Sequence, residues 1–236
     1  MNLILVFFLI EQLYRKGVRN LKRGLLISVL MICLIVGGFF VIRAMNQADD
    51  VALSDDFTSR FIDEDVETDE GFRYFESGND KFSMWFPEGY ILEGKPSYVS
   101  KESYETLNLY KKAKDDEQKL IKMTYYKGGD PGQVEGNLSL LISDYGFDDH
   151  YEVSNTDETH IYSGKSYVEL IENRAKPKEP TDDSPANQYY ALIKNQQTDQ
   201  HVTVSYEIHC SVNCSSNVLM ERSFFDSVVR SIRFQD

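Results

Sequence analysis

Two stretches of the chain alternate strictly between core-type and outward-type positions. Phe82, Met84 and Phe86 oppose Lys81, Ser83 and Trp85, and Val202, Val204, Tyr206 and Ile208 oppose His201, Thr203, Ser205, Glu207 and His209. A period of two belongs to a strand with one buried face, so both predict half-buried strands. Weaker alternation marks Tyr104 to Tyr110, Lys119 to Tyr126, Tyr151 to Ser154, His160 to Tyr162, Tyr167 to Glu172 and Gln188 to Lys194. So many short strands predict a largely antiparallel sheet.

Two other stretches carry the helical period. After Asp130, Pro131 suits a first helical position; Val134, Leu138, Leu141, Ile142 and Tyr145 then recur at helical spacing until Gly146 stops the run. A second helix opens near Ser215 and Ser216, with Leu219, Phe225, Val228 and Val229 as its core positions, and a strand over Ser231 to Phe234 closes the chain. Between strands, Lys176 to Pro185 reads as a polar, proline-bearing surface loop. The order of strands, helix, strands, helix and final strand predicts an α+β fold, an antiparallel β-sheet flanked by helices.

Upstream the pattern changes. From Gly24 to Ile42 no residue is charged, and these nineteen residues match the ~30 Å apolar thickness of a bilayer as one helix. Arg15, Lys16, Arg19, Lys22 and Arg23 precede the span, while Asp49, Asp50, Asp55 and Asp56 follow it, which puts the N-terminus in the cytoplasm and the rest outside. A cleaved signal peptide is disfavoured by the length of the apolar run and the lack of an A-x-A site. In Leu30-Met31-Ile32-Cys33, the bulky Ile32 and the continuing apolar run disfavour a lipid-modified Cys33. Residues 1–10 are apolar but too short to span, and a natural start at Val18 would give an ordinary basic segment before the helix. The organisation expected is therefore a cytoplasmic N-terminus over 1–23, a signal-anchor over 24–43, an acidic linker over 44–71 and an extracytoplasmic domain over 72–236.

Charge narrows the partners. Beyond residue 43 the chain holds nineteen basic and thirty-seven acidic residues. Such a surface excludes nucleic acid and anionic phospholipid as natural ligands and suits basic partners. Ten acids between Asp49 and Glu70 suggest a solvated tether, without the ligand spacing of a calcium loop.

The stretch Phe82-Ser83-Met84-Trp85-Phe86-Pro87-Glu88-Gly89-Tyr90 resembles the strand-Pro-x-Gly-aromatic opening of PsbP-like and related Mog-type domains. Residues Phe224 to Phe234 are similar to their closing helix and strand. The resemblance spans about 72–234 and implies an α-β-α sandwich of the kind found in surface-anchored bacterial proteins and photosystem accessory factors, used for binding. It carries over no catalytic residues.

No chemistry stands out. The histidines, His150, His160, His201 and His209, form none of the closely spaced sets that hold metals, and His201 and His209 lie about 26 Å apart along one strand. Cys210 and Cys214 can close a small disulfide, stay as free thiols or, with His209, offer soft ligands; their spacing is one residue too long for a thioredoxin-like motif. Gly128-Gly129-Asp130-Pro131-Gly132 precedes a helix but lacks the Lys-Ser/Thr of a phosphate loop and reads as a capped turn. The doublets Asp148-Asp149 and Asp182-Asp183 read as solvated loop acids. No nucleophile elbow is present. No catalytic, cofactor or metal residues are therefore assigned.

Aromatics remain. Tyr125-Tyr126 and Tyr189-Tyr190 each put one ring on either face of a strand, one in the core and its neighbour under a helix or on a partner-binding surface. The expected function is a non-enzymatic binding or accessory module for a protein partner at the cell surface. A sensor acting through a membrane partner, and thiol-redox or metal chemistry at Cys210 and Cys214, are the alternatives.

Overall fold

The computed structural model describes residues 50–112, 117–130, 132–148, 151–171, 174–209 and 218–235. The expected anchor over 24–43, Cys33, the start near Val18, Pro131, Asp149, His150, Cys210, Cys214, Ser215 and Ser216 lie outside the described residues. Among the described residues no helix is long and apolar enough to cross a membrane.

Every strand pairing among the described residues is antiparallel, as the alternating patterns require. A smaller sheet is formed by β1 (Ile62–Asp63), β2 (Phe72–Glu76), β3 (Phe82–Pro87) and β13 (Arg233–Phe234), in that order. The larger sheet contains β4 (Ile91–Leu92), β5 (Val99–Lys101), β6 (Tyr104–Lys112), β7 (Gln118–Tyr126), β8 (Glu152–Asn155), β9 (Thr159–Ile171), β10 (Arg174–Lys178), β11 (Gln188–Asn195) and β12 (His201–His209). Its order is β10-β9-β11-β12-β7-β6-β4, with β5 added to β6 and β8 to β9. Among the described residues, three α-helical segments, a single turn α1 (Val51–Ser54), α2 (Gln133–Tyr145) and α3 (Val218–Ser231), and a 3-10 turn over Thr58–Phe61 complete the unit. The described fold is thus α+β and rich in sheet.

The core follows the strand periods. Phe82, Met84 and Phe86 of β3 meet Tyr125, Tyr189, Ala191, Val202, Val204 and Tyr206 of the larger sheet, and Phe225 and Val229 of α3 join them. Each large apolar side chain buried so completely contributes roughly 1.5–3 kcal/mol through removal of apolar surface from water. On the other face of β11, Tyr190 and Leu192 pack under α2 against Leu141, with Val134, Leu138, Ile142 and Tyr145 at its edges. The predicted helical stripe of α2 is therefore the stripe it buries.

Several expectations change. β12 is buried on both faces rather than one, because α2 covers the side on which His201 lies. His160 to Tyr162 and Tyr167 to Ile171 belong to one strand, β9, while Glu172 lies outside the described residues. Lys176 to Lys178 are edge strand, not loop; Pro177 is tolerated at an edge because no neighbour needs its missing N–H. In α3, Leu219 is 79% exposed while Glu221 is buried.

The acidic segment expected to be a tether supplies residues 50–63 to the folded unit. Asp50 Oδ1 accepts from Ala52 N at 3.0 Å, and its Oδ2 pairs with Arg73 Nε at 3.1 Å. Asp55 Oδ1 accepts from both Thr58 N and Thr58 Oγ1. These acids thus serve as caps, and Phe57 and Phe61 between them pack on Tyr98 and Phe75.

Candidate functional site

Helix α2 is fixed to the sheet at both ends of its buried stripe. Ser166 Oγ of β9 donates to Tyr145 O at 2.5 Å, and Gly146 N donates to Ile142 O at 2.8 Å. Nearer its start, Asn137 Nδ2 lies 2.8 Å from His201 Nε2, and His201 Nδ1 lies 2.8 Å from Asp199 O. With Asn137 donating, the network assigns the neutral ring, with its proton on Nδ1 directed at the carbonyl. Burial holds the His201 pKa below the ordinary imidazole value, and the ring stacks on Tyr126, its cross-strand partner, at 4.9 Å. Before the helix the predicted turn is present: Gly128 has φ of +76°, and a Cβ there would lie 2.4 Å from Asp199 O.

Along the outer side of α2 runs a groove of about 570 Å³. Glu135, Leu138, Ser139, Ile142 and Ser143, one stripe at helical spacing, form its floor, and Phe147, Asp148 and Tyr151 close its far end. Phe147 is 39% and Tyr151 41% exposed, high for aromatic side chains of this size. Tyr151 is braced edge-on against Tyr162, with ring centroids 5.8 Å apart. Two of the lining residues are acidic and none is basic.

Behind the wall made by Phe147, Asp148 and Tyr151 lies a second hollow of about 220 Å³. β9 supplies Ser163, Gly164 and Lys165, β11 supplies Tyr189, and α3 supplies Arg222, Phe225 and Asp226. Gly164 is required here: its cross-strand partner Tyr190 lies over it, so a Cβ would sit 2.2 Å from Tyr190 Oη. Arg222 Nη2 bridges to Glu152 Oε2 at 2.7 Å, and its Nε stands 3.8 Å from Asp226 Oδ2. Burial raises the Asp226 carboxyl above the usual range, against the lowering effect of Arg222. Burial, with the nearby Glu221 charge, pushes the Tyr189 phenol up to about 12, so it stays protonated at neutral pH.

The four tyrosines singled out from the sequence are mostly interior. Tyr125, Tyr189 and Tyr190 are at most 2% exposed, and Tyr126 is half-buried against His201. The three interior rings are too enclosed to form a partner-binding surface; of the four, Tyr189 alone reaches a described hollow, as part of its lining. Phe147 and Tyr151 were missed, although an aromatic between Gly146 and Asp148 is the kind of loop residue that lacks a reason to be in a core. Of the histidines described, His160 binds Asn155, and His209 lies 3.0 Å from Glu207. Asp148 belongs to both hollows, whereas Asp182 and Asp183 line none of the hollows described here. Among the described residues no group of three or more His, Cys, Asp or Glu is placed to hold a metal ion.

The arrangement offers apolar contact, cation attraction and hydrogen bonding. No curated protein and no solved structure matches the chain. A family model named for YvcA and Mog1p matches residues 48–233, in agreement with the Mog-type resemblance of the strand-Pro-x-Gly-aromatic and closing segments. The chain belongs to this family, described as "Putative lipoprotein YvcA".

Proposed function

We propose that the unit is a non-enzymatic binding or accessory module outside a cell membrane, and that the α2 groove receives a basic segment of a protein partner. The observation that carries this reading is the pair of half-exposed rings, Phe147 and Tyr151, in a groove whose only charges are acidic. Aromatic walls hold the aliphatic stems of Lys or Arg and attract their charged heads, while Glu135 and Asp148 supply counter-charge. Helices on opposite faces of the larger sheet agree with the α-β-α sandwich implied by the family resemblance, and the smaller sheet accompanies one of them.

The test is a photo-crosslinking residue in place of Ser139 in the full chain, irradiated in membranes. One protein should be captured reproducibly, a peptide copying its basic segment should compete, and Phe147→Ser with Tyr151→Ser should abolish the adduct. An absent adduct, or one indifferent to both substitutions, refutes the proposal.

The same reading makes residues 24–43 an uncleaved signal-anchor with the N-terminus in the cytoplasm. The family description names a lipoprotein, whose anchor on this chain would be an acylated Cys33. Intact mass of the membrane-extracted protein separates the two: residues preceding Cys33 are retained in the first and lost in the second.

A further inference from the structure

A third hollow lies away from α2, where α3 ends against the smaller sheet. β13 pairs with β3 only at Phe82 and Ser83, so the N–H of Trp85 lies beyond the ladder. Ser231 Oγ takes that N–H at 2.9 Å and donates to Val228 O at 2.6 Å, seating the last turn of α3 on the strand edge. The space left is about 360 Å³. Trp85 and its cross-strand partner Tyr74 face it from the sheet, Ser227 and Arg230 from the helix, and Arg233 and Asp69 complete it.

The two guanidiniums differ in their commitments. Arg233 Nη1 donates to Arg230 O at 2.7 Å and Ile232 O at 2.9 Å, closing the helix end, and its Nε stands 3.7 Å from Glu158. Arg230 makes one long hydrogen bond, to Ser154 Oγ at 3.5 Å, and no ion pair with a described residue. Beyond residue 43 acids outnumber bases almost two to one, yet among the described residues no carboxylate forms an ion pair with this cation, and Asp226 acts on it only at longer range. An anion is the complement of Arg230 and Arg233. Flat rings complement the C–H face of a saccharide, and Asp69 and Ser227 can meet its hydroxyls.

We propose that this hollow binds a carbohydrate ring bearing a carboxylate or a phosphate. The site is independent of the α2 groove and of the protein-partner reading. A bare metal cation would be repelled by the two arginines, and an uncharged sugar would leave the Arg230 charge unmet.

Trp85 is the only tryptophan of the chain, so its emission reports on this hollow alone. Full-length protein in detergent micelles is titrated with digalacturonic acid, glucose 6-phosphate, maltose and inorganic phosphate. Saturable emission changes are expected with at least one of the first two, and the tighter of them identifies the acid group; maltose and inorganic phosphate should give none. Arg230→Gln, at an exposed position, should weaken binding about tenfold or more without altering the melting temperature. The proposal is overturned if neither acidic sugar saturates below about 10 mM. It is equally overturned if maltose or inorganic phosphate does as well, or if the folded Arg230→Gln protein binds like wild type.

Discussion

Replacing Glu221 by Ala should destabilise the unit more than any other single polar truncation on α3. Its side chain is buried; Oε2 accepts from Tyr206 Oη at 2.5 Å, and Oε1 pairs with Lys119 Nζ at 2.6 Å. Tyr206 is itself fully buried, stacked against Tyr189 and Phe225, so its phenol cannot turn to water. Breaking a buried ion pair from one side costs about 3–5 kcal/mol. Lys119 keeps Glu117 at 3.2 Å and some solvent, which brings the expected loss down to about 2–4 kcal/mol. Glu221→Gln preserves shape and an acceptor for Tyr206, so about half that loss is expected. At ~2–4 °C per kcal/mol for a unit of this size, Ala should lower the melting temperature by about 4–16 °C. Circular dichroism of the full chain in micelles reads it. The pH dependence is a further check: burial alone would lower the Lys119 pKa, but the bond to Glu221 outweighs it and the pKa lies above the ordinary value. A raised lysine pKa stabilises fully below the unfolded value of about 10.4 and ceases to as pH climbs through the native one. The gap between wild type and Glu221→Gln should therefore narrow in that alkaline range. A shift under about 1 °C for Glu221→Ala would refute the reasoning.

Three other outcomes follow from the packing. His201 titrates below an ordinary imidazole because it is buried between Tyr126, Asn137 and the Asp199 carbonyl; Glu135 and Asp199 favour its charged form and Lys194 opposes it. The unfolded chain then binds the proton first, so stability should fall as pH drops below about 6.5, and His201→Phe should flatten that slope in urea titrations. Gly164→Ala should cost about 1–3 kcal/mol by forcing Tyr190 aside, and Tyr190→Leu should relieve it; strictly additive losses would contradict the close approach. Thr58→Val deprives Leu92 N of its acceptor at 3.0 Å and Asp55 of a donor, a loss of about 1–3 kcal/mol in denaturant midpoint that a tether residue would not show.

Periodicity located β3, β12, α2 and most of α3, because their buried faces repeat with the backbone. It failed where side chains are chosen by a neighbour rather than by a face. Ser163-Gly164 breaks the pattern of β9 because Tyr190 crosses it from β11, a relation between residues distant in sequence. Glu221 reads as a solvent position until Lys119 and Tyr206 are seen to meet it, whereas Leu219 reads as core and is exposed. In the segment over 50–63, charge count suggested solvation, but Asp50 and Asp55 are spent on local N–H groups while Phe57 and Phe61 carry the packing. The α2 groove was half legible: its helical stripe is in the sequence, but the closure by Phe147 and Tyr151 depends on how the loop after Gly146 turns.

Helix α3 lines two of the hollows. Arg222 and Asp226 face the space behind Phe147, while Ser227, Arg230 and Ser231 face Trp85; β8 touches both sides, through Glu152 to Arg222 and Ser154 to Arg230. The excess of thirty-seven acids over nineteen bases beyond residue 43 acts on ligands before contact, within a Debye length of about 8–10 Å. Under the two proposals, it draws a cationic segment toward the α2 groove and opposes an anionic sugar on its way to Arg230. Added salt should therefore slow association at the first site and quicken it at the second, with dissociation from either less affected, since contacts at close range set the off-rate. Stopped-flow traces in which both association rates moved the same way with salt would show that the local charges of the two hollows, rather than the field of the whole unit, govern approach.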